Sequence, residues 1–223
     1  MNVNITSNPS LIETSKFFDF RRQVYAECFD VIINHSDAWD SCSTQFVARA
    51  EGDIVGGVRL VISQEDKPLP MEAAGINLSG LFHLTPTGQY AEVSRLVTHP
   101  SYRQGAITDS LCVAIIDCCR RIGIKQLVFM SNDRAARLFR LALRRFNQRY
   151  TSVHTVTEPG GYEFPIGLTE KSKGFLNCVG SINLNFFKKS SAELKQTKVG
   201  KRLAIPCSPT LRNSVSKDSR NPA

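Results

Sequence analysis

The chain has no apolar run approaching the roughly 18 residues that a membrane-spanning helix requires, which excludes a helical membrane protein. Its seven cysteines, Cys28, Cys42, Cys112, Cys118, Cys119, Cys178 and Cys207, are odd in number, scattered, and include no Cys-x-x-Cys. That pattern argues against a disulfide framework and against a thiolate metal site. There is no closely spaced His pair, no Gly-rich dinucleotide loop and no nucleophile elbow, so metal, redox and serine-nucleophile chemistries find no motif. Residues 1–15 lack the basic-then-apolar order of a signal peptide, and a cytoplasmic protein is expected.

Acidic residues are scarce only at one end. Residues 171–223 carry 11 Lys or Arg against Glu193 and Asp218, whereas residues 1–170 hold 17 basic and 18 acidic residues. The formal charge of +8 therefore belongs to the last quarter of the chain. From about Ser190 that stretch is rich in Ser, Lys, Thr, Asn and Pro and reads as a disordered basic tail, solvated or attracted to an acidic partner. With 223 residues and 42% apolar content, the remainder can bury one substantial core. We expect a domain over 1–170, an extension of uncertain structure over 171–189 and the tail over 190–223. Within the extension, Gly174 to Phe187 reads either as a further core element or as a peripheral membrane-facing patch.

The spacing predicts a helix over Lys16–Ile33, then a polar loop in which Asp37 and Asp40 bracket Trp39, the only tryptophan. Strands are expected at Thr44–Ala50 and Ile54–Ile62, joined by the hairpin signal Glu51-Gly52-Asp53. Gly56 and Gly57 in the second of them suggest a bulge or a close approach to the backbone. A long connection over 63–89 has the length of a lid or binding loop. Past the central strand described next come a helix over Ala106–Ile122, a strand over Ile124–Met130 and a helix over Asp133–Phe146. Strands at Tyr150–Thr157 and Tyr162–Leu168 would close the domain as a hairpin. This order packs naturally as a mixed α/β sheet with helices on its faces.

The central stretch is Tyr90 to Arg103. It alternates as a strand does, so Glu92 and Ser94 share one face while Arg95 is expected on the other. A carboxylate beside a hydroxyl suits proton transfer; the alternative is an edge strand with solvated charges.

The run Glu92-Val93-Ser94-Arg95-Leu96 with His99-Pro100-x-Tyr102-Arg103 resembles the central segment of the GNAT-type N-acyltransferases. Within that fold it is most similar to the acyl-homoserine lactone (autoinducer) synthases and the N-acyl amino acid synthases. Their pattern of Arg and aromatic, Asp-x-x-Asp, a strand Arg and Glu-x-Ser-Arg is matched by Arg21 with Tyr25, Asp37 with Asp40, Arg59, and Glu92 with Ser94 and Arg95. These matches span about residues 16–150. The family's pyrophosphate-cradling glycines are replaced by Ala106 and Thr108, with Gly105 one residue early. This favours an acyl-carrier-protein thioester over acyl-CoA as donor. Arg134, Arg137, Arg140, Arg144, Arg145 and Arg149 would form a docking ridge for the acidic carrier, or else a solvated helix face. Trp39 lies inside the Asp-x-x-Asp motif rather than in the Gly-Trp context of the autoinducer synthases, which favours an amino acid or similar small amine as acceptor.

The resemblance implies direct acyl transfer with no permanently bound cofactor or metal. Glu92 would be the base, and Ser94 would assist the leaving thiolate or hold the pantetheine arm. Bulged backbone N–H groups around residues 93–97 would stabilise the oxyanion. Val93, Leu96, Val97, Arg103 and Gly105 mark the donor region. Arg21, Tyr25, Asp37, Trp39, Asp40, Arg59 and Arg95 would bind substrate or order a lid through an ion-pair network, which can also serve the fold alone. Two other readings stand beside this one: an acyl-CoA-dependent transferase of the same fold, and a non-catalytic protein holding nucleic acid through its basic tail.

Overall fold

The alternating run at residues 90–98 is the middle strand of a seven-stranded sheet, and both layers of the molecule are built on it. The computed structural model describes residues 3–29, 32–103, 106–131, 152–155 and 178–184. Its strands are β1 (Val3–Ser7), β2 (Thr44–Ala50), β3 (Asp53–Ile62), β4 (Tyr90–Thr98), β5 (Gln126–Ser131), β6 (Ser152–Thr155) and β7 (Cys178–Asn183), in the spatial order β1-β2-β3-β4-β5-β7-β6. Every neighbouring pair is antiparallel except β4–β5. A parallel pair needs a crossover, which helix α4 (Ala106–Ile122) supplies.

Helix α4 covers one face of the sheet. Ile107, Leu111, Ala114, Ile115 and Cys118 pack there against Val58 and Leu60 of β3, Ala91 and Val93 of β4, and Leu127 and Phe129 of β5. The opposite face is covered by helix α1 (Leu11–Phe29), through Phe17, Phe18 and Val24 on Val47 and Val97. Beside it the 63–89 connection packs Leu69, Met71, Ile76 and Leu78 against Val61, Tyr90 and Val128. That connection is not a bare loop, since it holds the short helices α2 (Pro70–Ala73) and α3 (Leu78–Leu81). The mixed α/β sandwich expected from the sequence is thus the observed architecture.

Several boundaries differ from expectation for local reasons. Strand β1 went unread because Val-Asn-Ile-Thr-Ser buries only Ile5 and Ser7. Helix α1 starts five residues before Lys16, and its first two residues, Leu11 and Ile12, are exposed and carry no helical apolar stripe. Strand β6 pairs with β7, and the strand expected at 162–168 lies outside the described residues. β7 lies beyond residue 170, yet Val179, Ile182 and Leu184 are core, so the sheet continues past the expected domain end. The expected helix at 133–146, its arginine ridge, Gly105 and the tail over 190–223 lie outside the described residues as well. Among the described residues no helix is long and apolar enough to cross a membrane.

The β2–β3 turn holds Glu51 and Gly52, both at positive φ, as a two-residue hairpin demands. The paired glycines of β3 serve contact with both helices. Gly56 lies under Ile107 of α4, and a methyl on Gly57 would fall inside the Phe17 ring of α1. Gly57 thereby lets α1 settle on the sheet. Gly57→Ala should lower stability by about 1–3 kcal/mol through this overpacking, read by chemical denaturation; an unchanged midpoint would contradict the packing.

Candidate active site

The site begins with an irregularity in β4. Ser94 pairs with Arg59 and Val97 with Gly57, so three steps along β4 oppose two along β3. The extra residue is a β-bulge, and Arg95 within it is held at φ +57°. A non-glycine residue in that region costs on the order of 1 kcal/mol or more, so its surroundings must hold it there. The bulge resets the alternation: Val93 and Leu96 face the α4 core, whereas Val97 faces α1. Arg95 is thereby turned to the Ser94 side, which corrects the expectation that it faces away from Glu92 and Ser94.

Once turned, Arg95 enters a buried ion cluster. Arg21, from α1, grips Asp40 with both terminal nitrogens, at 3.1 and 2.8 Å, and also donates to the His35 carbonyl. Arg59, from β3, donates from Nη1 to Asp37 Oδ1 at 2.6 Å and to Asp40 Oδ1 at 3.1 Å, and from Nε to Ser94 Oγ at 3.1 Å. Arg95 closes the set with Nη2 on Asp37 Oδ2 at 3.0 Å, and its guanidinium lies 5.9 Å from the Tyr25 ring centroid. Arg21 and Arg59 are each only 1% exposed. The five charged residues inferred from sequence are therefore in one contact network, with Tyr25 at its edge.

Burial alone would raise both aspartate pKa values, but the adjacent arginines outweigh it. Asp37 is held at about 2 by the Arg59 hydrogen bond and the Arg59 and Arg95 charges. Asp40 is lowered by Arg21 and Arg59. Both remain ionised at neutral pH; the stability that Asp37 contributes is complete above its ordinary value of 3.8 and is lost as pH falls through about 2, and the lowered Asp40 acts in the same direction.

Glu92 behaves in the opposite way. Its side chain is on the same side of β4 as Ser94 and is 2% exposed; Oε2 accepts from the Met71 amide at 2.9 Å. Burial pushes its pKa up to about 7, against the pull of the Met71 amide, the Arg59 charge, the Ser94 hydroxyl and the Arg95 charge. A carboxyl that exchanges its proton near neutral pH is suited to general base work. Met71 was not read from the sequence as a site residue. It contributes a backbone amide from the first turn of α2, a contact that leaves no side-chain signal beyond Pro70 opening the helix.

Beside Glu92 the sheet opens. The β4–β5 pairing runs from Tyr90–Gln126 to Val93–Phe129 and stops, although both strands continue. Arg95 and Leu96 also lack a partner in the β3 register. The backbone after Val93 thus leaves the ladder next to a titrating carboxyl. Of the expected donor region, Val93 and Val97 are core, Leu96 packs against the α4 core, and Arg103 is exposed and donates from Nε to the Thr98 carbonyl at 3.4 Å. The Trp39 amide donates to Asp37 Oδ1 at 3.0 Å, so its backbone supports the ion cluster, while its indole turns away, donates to the Pro68 carbonyl at 3.0 Å and ties the Asp37–Asp40 turn to the 63–89 connection. Among the buried cysteines, Cys112 is pushed up to about 12 by burial and Cys119 is raised likewise, so both are inert thiols.

Residues 20–113 match the family model of the acetyltransferase (GNAT) domain, and the strand separation after Val93 lies within that span. That match covers under half of the chain, and together with the sheet topology it gives the chain a GNAT-type fold. Within it the chain is similar in structure to an N-acyl amino acid synthase from uncultured soil microbes, FeeM, with TM-score 0.60 at 13% identity over 83% of this chain and 93% of that one. The CoA-dependent acyl-homoserine lactone synthase BjaI, crystallised with SAM and isopentyl-CoA, gives 0.59 at 18% identity over 83% and 85%. The acyl-homoserine lactone synthase LasI gives 0.55 at 16% identity over 82% and 89%. No curated protein sequence matches the chain.

Asp40 contacts both Arg21 and Arg59, so Asp40→Ala strands two buried guanidiniums. The expected loss is about 3–5 kcal/mol by urea denaturation at pH 7. A loss below about 1 kcal/mol would show that the cluster does not hold the fold.

Proposed function

We propose that the protein transfers a fatty acyl group from an acyl-carrier-protein thioester to the amino group of an amino acid or similar small amine, in the cytoplasm. The observation that carries this reading is Glu92, a buried carboxyl with a pKa of about 7 beside the point where β4 parts from β5.

An amine is protonated at neutral pH and must lose one proton before it attacks. Glu92 takes that proton, directly or through a water. The nitrogen lone pair then adds to the thioester carbon, and the carbonyl oxygen becomes an oxyanion held by N–H groups of the bulged backbone after Val93. As the C–S bond breaks, the second nitrogen proton passes to the departing thiolate, with the Ser94 hydroxyl positioned to donate. Glu92 then releases its proton to solvent, so the net products are an amide, a thiol and one proton. The cluster of Arg21, Asp37, Asp40, Arg59 and Arg95 fixes the first helix and the Asp37–Asp40 turn over this centre. Arg134, Arg137, Arg140, Arg144, Arg145 and Arg149 are our proposed carrier docking ridge on charge complementarity alone, and the Gly105 segment is the proposed donor approach.

A second reading concerns the donor. One similar structure is a CoA-dependent synthase holding an acyl-CoA, which favours a coenzyme A thioester despite Ala106 and Thr108. Mass spectrometry of organic extracts from cells expressing the wild type or Glu92→Gln at matched soluble levels tests the reading. N-acyl amines are expected with wild type and at least about 100-fold less with the variant, a general base being worth roughly that much. Identical extracts from two folded proteins would overturn transfer to a small amine. Purified protein given acyl-carrier protein or acyl-CoA in parallel then separates the donors.

A further inference from the structure

A thiol and an amine meet outside the ion cluster. Cys42 ends the short 3-10 turn Asp40–Cys42, and Lys67 stands on the 63–89 connection, 25 residues along the chain. Lys67 Nζ donates to Cys42 Sγ at 3.3 Å and to the Ala38 carbonyl at 2.7 Å, and it lies 5.8 Å from the Trp39 ring centroid. A lysine amine on its long flexible stem is ordinarily left to water, so one held by three neighbours is positioned. The Trp39 indole on the Pro68 carbonyl fixes the backbone beside it. Both side chains are half-buried, so a small oxidant reaches the sulfur, whereas Cys112, Cys118 and Cys119 are sealed in the α4 core.

The two residues belong to the two segments that frame Glu92. Just past Lys67 the connection turns into α2 and delivers the Met71 amide to Glu92 Oε2. Cys42 closes the segment whose Asp37 and Asp40 hold Arg59 and Arg21. We propose that Cys42 and Lys67 form an oxidation-dependent crosslink, a sulfenamide between Sγ and Nζ, which pins the 63–89 connection over Glu92. The oxidant is hydrogen peroxide: its O–O bond breaks, the sulfur takes one oxygen as a sulfenic acid, and the other oxygen leaves as water. The Lys67 ammonium gives a proton to solvent and its lone pair attacks the sulfur. The N–S bond forms, the S–O bond breaks, and the departing hydroxide takes a second proton from nitrogen to leave as water. Sulfur loses the electron pair that peroxide gains, so a thiol, an ammonium and one peroxide become the crosslink, two waters and one proton. The N–H that remains still serves the Ala38 carbonyl. Excess thiol reverses the step, restoring thiol and amine as the reagent becomes its disulfide. The inference does not depend on the acyl-transfer reading.

The test treats the purified, reduced full chain with a slight excess of hydrogen peroxide and digests it without reductant. Mass spectrometry should find the peptides of Cys42 and Lys67 joined, about 2 Da lighter than their sum, and dithiothreitol should separate them. Lys67→Arg keeps a cation on the Ala38 carbonyl but removes the amine; no joined peptide should form, and Cys42 should run on to the sulfinic acid. In the oxidised wild type, amide exchange over residues 66–73 should slow by at least about tenfold. Cys42 found as sulfinic acid, in a disulfide or unmodified in the wild type, with Lys67 free, would overturn the proposal. A joined peptide that retains one oxygen would overturn the direct N–S bond, and unchanged exchange in the crosslinked protein would overturn the pinning. Each of these readouts on the wild type stands whether or not the variant folds.

Discussion

Buried arginines are tolerated only where carboxylates meet them, and that constraint organises the functional half of this molecule. Arg21 arrives from α1, Arg59 from β3 and Arg95 from β4, while Asp37 and Asp40 arrive from the turn between α1 and β2. None of these charges could be buried without the others, because desolvating an isolated guanidinium or carboxylate costs several kcal/mol. The network is therefore mutually dependent, and it fixes the relative position of a helix, a turn and two strands. Its five members also enclose the side of β4 on which Glu92 lies.

The same bulge serves the packing and the ion cluster, and it shapes the proposed reaction centre. It sends Leu96 and Val97 to opposite cores, rotates Arg95 into the ion cluster, and takes the backbone out of register where β4 leaves β5. Glu92, two residues before the divergence, is sealed by Met71 from the 63–89 connection. Burial that raises its pKa is destabilising to an ionised carboxylate: above its ordinary value of 4.5 the fold loses stability as pH rises, until the loss levels off above about 7. The loss amounts to roughly 3 kcal/mol. The salt-bridged aspartates nearby work in the other direction, so the cluster stabilises the frame in which a strained, titrating group is kept.

Much of this was legible in the residues. Glu92 with Ser94 and Arg95, Arg59 in its strand, Asp37 with Asp40, and Arg21 with Tyr25 are separated in sequence yet form one contiguous site, because charged residues inside apolar elements need partners. Helix α4 was readable to its ends, since its apolar stripe and Gly123 mark both core and terminus. What could not be read was the direction of Arg95, because strict alternation assigns it to the wrong face and only the bulge reverses it. Strand β1 and the Met71 amide were also silent, the first for want of apolar alternation and the second because a backbone contact has no residue type. Composition leaves Gly174 to Phe187 open between a core element and a membrane-facing patch, and only the pairing of β7 with β5 shows that Val179 and Ile182 are core.

The central claim is that Glu92 is a buried base whose environment sets its pKa near neutrality. The most direct measurement is the pH dependence of kcat for amine acylation by purified wild type and Glu92→Gln. The account predicts a rise with pH through an inflection near 7 in the wild type and a low rate without that inflection in the variant. An inflection near 7 that persists in Glu92→Gln at comparable kcat would contradict it.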